Sequence, residues 1–301
     1  MYTNFIRQLK NHFEDPHIIF DADMRLYTSF KAGGKADVLF LPRSIDQLKA
    51  ALEELTFNKI AYTIIGNGTN TLVKDSGYKG VLIRIAENMN CFSIEENIIT
   101  AQAGALLSSV SYAAAENALG GMEFLNGIPG SVGGGVSMNA GAYNGEMKNV
   151  LLSADVLSTD GTITTLTTQQ LQLSYRSSLV KDSGNIVLSA RFGPTPGDKT
   201  EIIEYMTLLN TKRRTNQPLE FPSAGSTFKR PVGNYAAKLI DDSNLKGKGF
   251  GGAKVSEKHA GFIINYNNAT ALDILNTIEM VREEVFKQFG IVLEEEVKII
   301  G

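Results

Sequence analysis

Two glycine-rich stretches and a handful of scattered polar residues carry whatever chemistry this chain performs. Gly66-Asn67-Gly68-Thr69-Asn70-Thr71-Leu72 follows a β-rich run directly. Small residues there let backbone N–H groups approach an anion such as a phosphate, although taken alone the segment also reads as an Asn-Gly turn. Gly127-Ile128-Pro129-Gly130-Ser131-Val132-Gly133-Gly134-Gly135 holds five glycines in nine residues and runs on to Met138-Asn-Ala-Gly141-Ala-Tyr143. Removing nearly every side chain from one wall suits close backbone contact with a large flat or phosphorylated ligand. No Gly-Lys-Ser/Thr follows, so it is not a P-loop. Flexible linkers rarely interleave Ile, Pro, Val and Met, and ligand binding is the expectation.

Other candidates are ambiguous one at a time. Ser226, in Ser223-Ala-Gly-Ser226-Thr-Phe-Lys229-Arg230-Pro231, sets a hydroxyl beside glycine and two cations, as many turns do. Tyr175-Arg176-Ser-Ser178 reads as a surface arginine, Glu294-Glu295-Glu296 as a solvated edge, and His259 as a satisfied histidine at a strand start. Gly247-Lys-Gly-Phe-Gly-Gly252 matches G-x-G-x-x-G literally. A dinucleotide fingerprint needs strand, turn and helix in that order, and this stretch follows a helix-like segment, so it is rejected.

The elements that must position these residues follow from periodicity. Phe5, Ile6, Leu9 and Phe13 fall at helical spacing. The β-rich stretch 36–41 ends at Pro42, and Ser44-x-x-Gln47 forms a capping box before a helix facing inward with Ile45, Leu48, Leu52 and Leu55. Residues 60–65 return to strand. Short strands are expected at 80–85, 91–94, 98–103, 150–157, 162–166 and 186–192, with an Asp160-Gly161 hairpin and one helix at 106–119. Gly193-Pro-Thr-Pro-Gly197 is the main boundary signal. Beyond it come a helix at 201–214, a small one near 235–240, and a strand at 261–266. A long helix capped by Thr270-x-x-Asp273 and closed by Gly290 turns Leu272, Leu275, Ile278, Val281, Val285 and Phe289 inward, before a strand at 291–300.

Composition bounds the rest. The 301 residues suit two or three subdomains, and 43% hydrophobic with 20% charged residues is globular. A net charge of −3 leaves no basic footprint for nucleic acid or an anionic membrane. One cysteine, Cys91, and three scattered histidines exclude an internal disulfide and a thiolate zinc site, and no metal is expected. Charges arrive too early for a signal peptide, and no apolar run approaches the ~20 residues of a membrane span. A cytoplasmic location is expected.

Taken as a set, seven segments resemble one family, the UDP-N-acetylenolpyruvoylglucosamine reductases (MurB): GNGTNTLVKDSG (66–77), GIPGSVGG (127–134), MNAGAYNGE (138–146), YRSS (175–178), AGSTFKRP (224–231), VSEKHAGFIIN (255–265) and LEEEVKIIG (293–301). The resemblance implies an α+β chain with an FAD-binding region of the vanillyl-alcohol-oxidase (PCMH) type in two lobes and an α+β substrate domain. The lobes are expected at 1–58 with the C-terminal strand 291–301 and at 59–195, and the substrate domain at 196–290. It implies non-covalent FAD, with NADPH as co-substrate and UDP-N-acetylglucosamine enolpyruvate as the small molecule reduced to UDP-N-acetylmuramate for peptidoglycan synthesis.

No side chain supplies a hydride, so a flavin must carry it. By the resemblance, Arg176 stabilises the negative charge that develops on the substrate carboxylate, Glu296 assists as acid partner, and Ser226 gives a proton to the adjacent carbon. Gly66–Leu72, Gly127–Ser131, Gly133, Gly134 and Gly141 would hold the cofactor, and Tyr175, Lys229, Arg230 and His259 the substrate. Lys229 could replace the proton that Ser226 gives up. Two departures stand out. Glu295 occupies a position that is often proline, which opens the choice between Glu295 and Glu296, and only residues 177–184 separate Arg176 from Asn185, too few for the tyrosine loop of one branch. Two alternatives remain at this point. An oxidase on the same fold would be supported by covalent flavin attachment, but the glycine loops hold no His or Cys. A non-catalytic binder has no need of Arg176, Ser226 and Glu296 together.

Overall fold

The computed structural model describes residues 2–301. The chain divides into two compact units, each made of discontinuous segments. One comprises the chain up to Ile19, Leu39–Asn67 and Val81–Arg213; the other comprises Phe20–Val38, Gly68–Gly80 and Arg214–Gly301.

In the first unit, helix Thr3–His12 buries Phe5 and Leu9, and Phe5 meets Phe40 edge to face at 6.4 Å. Helix Ile45–Phe57 starts as its sequence dictates, with Ser44 Oγ accepting the Gln47 N–H at 3.2 Å. The other half of the expected box shifts by one residue, because Gln47 Oε1 accepts from Arg43 N–H at 2.9 Å. Strand Tyr62–Ile65 pairs in parallel with Tyr78–Arg84, ending at Ile65 opposite Arg84. A five-stranded antiparallel sheet follows, ordered Ile163–Thr167, Leu151–Leu157, Ile186–Phe192, Ile98–Gln102 and Phe92–Glu95. At its hairpin, Gly161 takes φ +84° and Asp160 Oδ1 accepts the Thr162 N–H at 2.9 Å. The chain at 193–197 is no border: Thr195–Pro196 pairs with Leu119–Gly120, and this unit continues to Arg213 in helix Lys199–Asn216.

The glycine-rich 131–137 segment contains a helix that periodicity did not indicate, Val132–Ser137. Its glycines are there for packing. A Cβ on Gly133 would lie 2.9 Å from that of Ala103, and one on Gly135 would lie 2.7 Å from Met147 Cε. The cost of glycine in a helix, about 0.5–1 kcal/mol each, is the cost of that close approach.

The second unit is built around helix Ala271–Phe289 on a three-stranded antiparallel sheet, Gly249–Phe250, Ala253–Val255 and Ile263–Asn265. Thr270 and Asp273 form the expected capping box, and Gly290 closes the helix at φ +68°. The buried stripe is Ala271, Ile274, Thr277, Ile278, Val281 and Val285, whereas Leu272 and Phe289 are exposed. Its inward register therefore begins one residue before the expected one. Asp75, from the tail of the first glycine motif, accepts the N–H groups of Ala271 and Leu272, each at 2.8 Å. A carboxylate there satisfies two orphan donors and complements the helix dipole. Gly247–Gly252 is a hairpin start rather than a strand–turn–helix crossing, with Phe250 N–H donating to Thr277 Oγ1 at 3.1 Å. The expected 291–300 strand is shorter: only Lys298–Ile300 is regular, parallel to Thr71–Val73. Before it, Glu295 makes an isolated antiparallel bridge to Phe228. Strand His17–Asp23 was not expected at all.

Candidate active site

In the first unit the two glycine loops converge. A Cβ on Gly66 would sit 2.6 Å from Ser131 Oγ and 4.0 Å from Gly134 N. Ser131 is buried, yet its hydroxyl has no hydrogen-bond partner among the described residues. A buried, unsatisfied hydroxyl is costly unless a ligand completes it. The side-chain-free wall and the waiting hydroxyl fit a flat, phosphorylated cofactor. Asn67 is fixed beside them, its Oδ1 accepting from Arg84 at 2.8 Å.

Arg213, which periodicity hid within a helix, is held against the second loop. A Cβ on Gly127 would fall 2.9 Å from its guanidinium, and Tyr143 hydrogen-bonds to it. Burial lowers its pKa from the usual arginine range. A guanidinium fixed beside a glycine loop suits phosphate oxygens.

Arg176 stands at the tip of a two-residue turn. Ser174 and Ser177 exchange backbone hydrogen bonds at 3.1 and 3.2 Å, and Arg176 takes φ +54°. That conformation in a non-glycine residue costs about 1–3 kcal/mol and is retained where surroundings over-determine it. The surroundings do so here. Buried Asn139 donates to Ser174 O and to Glu146 Oε2, both at 3.0 Å, and its own Oδ1 accepts Lys148 N–H at 3.0 Å. Lys181 Nζ donates to Arg176 O at 3.0 Å, and Ser178 Oγ to Ser137 O at 2.7 Å. The guanidinium reaches Gly141 O at 3.4 Å and lies 5.3 Å from the Tyr175 ring centroid. The Lys148 ammonium beside Glu146, with help from Asn139 and Arg176, keeps that carboxyl below the usual range. Asn139 and Ser178 are functional clamps that lie inside the motifs of the sequence. Nothing in their spacing marks them as the clamps they are.

The second unit brings the Ser226 and Glu296 segments together. Glu296 N–H donates to Thr227 O at 2.8 Å, and Lys229 N–H to Glu294 O at 2.8 Å. At this isolated antiparallel bridge, Glu295 and its two neighbours alternate in direction. Leu293 and Val297 are core residues, and Glu295 between them reaches Arg282 at 3.5 Å. Glu294 and Glu296 therefore point to the other side, where Lys229 Nζ meets Glu294 at 3.0 Å. Thr227 is fully buried: its N–H donates to Gly261 O at 2.9 Å, and its hydroxyl accepts Ile263 N–H at 3.1 Å. Ser226 itself is exposed. Arg230 lies over the Tyr235 ring at 4.6 Å.

His259 orders the adjoining turn. Its Nδ1 accepts the Gly261 N–H at 3.1 Å, and its ring packs edge-on against Phe262 at 4.9 Å. Burial holds its pKa below the ordinary 6.5, and the nearby Lys246 charge acts in the same direction. An accepting Nδ1 requires the neutral ring. With the folded-state value lowered, the unfolded chain binds more protons, so this stabilisation is complete above about pH 6.5 and declines as pH falls toward the folded value. Melting temperature against pH should fall more steeply below neutrality in the wild type than in His259→Gln. Parallel curves would remove the imidazole from the account.

Comparison with known proteins accords with this geometry. Residues 36–167 match the FAD binding domain model, and 217–300 the C-terminal domain model of UDP-N-acetylenolpyruvoylglucosamine reductase. The reductase of that name from Clostridium botulinum (strain 657 / Type Ba4) is 47% identical over 300 residues, covering 100% of this chain and 98% of its own. That of Alkaliphilus oremlandii is 45% identical over 284 residues, 94% of this chain and 93% of its own. The crystal structure of UDP-N-acetylenolpyruvylglucosamine reductase (MurB) from Thermus caldophilus superposes with a TM-score of 0.82 at 33% identity, covering 95% and 99% of the two chains. The fold and these relatives define an FAD-dependent oxidoreductase of the α+β flavin-binding type. The chain belongs to the UDP-N-acetylenolpyruvoylglucosamine reductase family, MurB. Among the described residues, no helix is long and apolar enough to cross a membrane, and no cluster of metal-ligating side chains occurs.

Proposed function

We propose that this chain reduces UDP-N-acetylglucosamine enolpyruvate to UDP-N-acetylmuramate at the expense of NADPH, in the cytoplasm, as a step of peptidoglycan precursor synthesis. FAD, when bound, supplies the hydride chemistry that no side chain can. Gly66–Leu72, Gly127–Ser131, Gly133, Gly134 and Gly141 form its cradle, with the Ser131 hydroxyl as a donor in waiting. The functional division proposed, residues 1–58 with 291–301 and residues 59–195 for the flavin and 196–290 for the substrate, differs from the two compact units, the first of which runs on to Arg213.

Arg176, fixed in its strained turn, offers a guanidinium to the substrate carboxylate as negative charge develops there, and a pre-positioned donor needs no reorganisation during reaction. Ser226 gives its proton to the carbon adjacent to that carboxylate. A hydroxyl is a weak acid, but the carbon it serves is a strong base at that moment. Glu296 assists as acid partner, and Lys229, paired with Glu294 at 3.0 Å, is placed to restore the proton. Tyr175, Arg230 and His259 complete the substrate contacts. His259 cannot serve as a general base through Nδ1 while that atom accepts the Gly261 N–H. His259→Gln should accordingly raise KM more than it lowers kcat.

The observation that supports this reading is the bond from Glu296 N–H to Thr227 O, which pairs the Glu296 segment with the Ser226 segment. Purified protein mixed with NADPH and the enolpyruvyl sugar nucleotide should oxidise NADPH and form UDP-N-acetylmuramate in equal amounts. NADPH consumption unchanged by the sugar nucleotide would refute the reading. The loops also hold no nucleophilic His or Cys. Acid precipitation should therefore release all the flavin into the supernatant, and a coloured pellet would contradict non-covalent binding.

A further inference from the structure

Asn70 lies in the first glycine motif, yet its hydrogen bonds run to the acid segment. Its Nδ2 donates to Glu296 O at 2.9 Å, and its own carbonyl accepts Lys298 N–H at 3.0 Å. On the other side of the same residue, Glu296 N–H is held by Thr227 O at 2.8 Å. Both peptide planes that flank the Glu296 Cα are thus pinned. Because peptide units are planar, fixing two of them fixes the φ and ψ between them and hence the direction of the Cα–Cβ bond. The two anchors differ in kind. The Thr227 anchor is backbone and insensitive to residue type, whereas the Asn70 anchor is a side-chain amide that only a donor of that length provides.

We propose that Asn70 is a positioning residue for the Glu296 carboxyl: its amide aims the acid for proton transfer to the substrate. The rest of its segment supports such a task. Thr71–Val73 runs parallel to Lys298–Ile300 in register from Lys298 opposite Thr71. Lys74 N–H donates to Ile300 O at 2.9 Å, and Asp75 caps the long helix. Asn70 therefore projects from a firmly anchored ledge. This inference rests on the role given to Glu296 above.

Asn70→Asp is nearly isosteric and loses the N–H donor, setting a carboxylate oxygen against the Glu296 carbonyl. Asn70→Ala loses the contact without introducing charge. Asn70 also lies in the cradle proposed for the flavin, so flavin content and the rate at which NADPH bleaches the flavin are measured for both variants, and the substrate half-reaction is read per bound flavin. Recovery of flavin colour on adding the enolpyruvyl substrate should slow by about 10²-fold, the scale of a misplaced catalytic group. Its pH profile should shift, since the acid no longer occupies its native setting. In a Glu296→Gln background the same Asn70 substitutions should cause no further slowing, because the group they misplace is already gone.

Three outcomes overturn the proposal: recovery rates within about twofold of wild type, full slowing retained in the Glu296→Gln background, or loss of flavin as the main effect of both substitutions. The last would assign Asn70 to the cofactor. Failure of the underlying reading looks different, because Glu296→Gln alone would then leave flavin recovery unslowed.

Discussion

Ser226→Ala should bind FAD and accept electrons from NADPH at a near-normal rate, yet return them to the enolpyruvyl substrate at least ~10²–10⁴-fold more slowly, the range typical of losing a positioned acid. The asymmetry follows from the hydroxyl's single task. On the proposed reading it gives a proton in the second half-reaction and has no part in the first. Structurally the substitution is mild: Ser226 is exposed, and the buried anchor of the segment is its neighbour Thr227. Ser226→Cys should keep part of the second step, because a thiol occupies a similar place and can give up a proton. Stopped-flow absorbance at the flavin band separates the halves. Equal slowing of both would mean that Ser226 shapes the flavin site, and an unaffected second half would remove it from the mechanism.

The paired substitutions Glu296→Gln and Glu295→Gln should separate just as sharply. Glu296→Gln is expected to slow the substrate half-reaction by at least about 10²-fold, as for an acid partner removed. Glu295→Gln should leave that rate within about twofold, because its carboxylate lies on the side of Leu293 and Val297 and faces Arg282, itself half-exposed and paired with Glu279 at 2.9 Å. A partly exposed pair of this kind is worth about 0–1 kcal/mol, so a small loss of thermal stability is the expected cost. Reversal of the two effects would show that strand parity assigns the wrong carboxylate.

That parity was not legible in the sequence. Three consecutive glutamates read alike until Phe228 is seen bridging Glu295. Local signals did carry far where the physics is local. The Ser44 and Thr270 caps, the Gly290 stop and the Asp160-Gly161 hairpin all formed as their residue types require. Misreadings arose where tertiary packing overrides local pattern. The Val132–Ser137 helix is rich in a residue that opposes helix, and its close contacts with Ala103 and Met147 compensate. The 291–300 stretch has strand composition throughout, but only its last three residues find a parallel partner. Of the site, the motifs marked the Arg176, Ser226 and Glu296 segments. They could not mark Asn139, Thr227 and Asp75, whose roles arise from backbone groups far away in the chain.

The central claim is that electrons from NADPH pass through FAD to an enolpyruvyl sugar nucleotide. The most direct measurement is one anaerobic turnover. The holoprotein is bleached with one equivalent of NADPH, mixed with UDP-N-acetylglucosamine enolpyruvate, and followed by flavin absorbance and product mass. The account predicts full return of the flavin band before any oxygen is admitted, with one equivalent of UDP-N-acetylmuramate formed. A flavin that stays bleached until oxygen enters, with the sugar nucleotide unchanged, would contradict it and point to an oxidase.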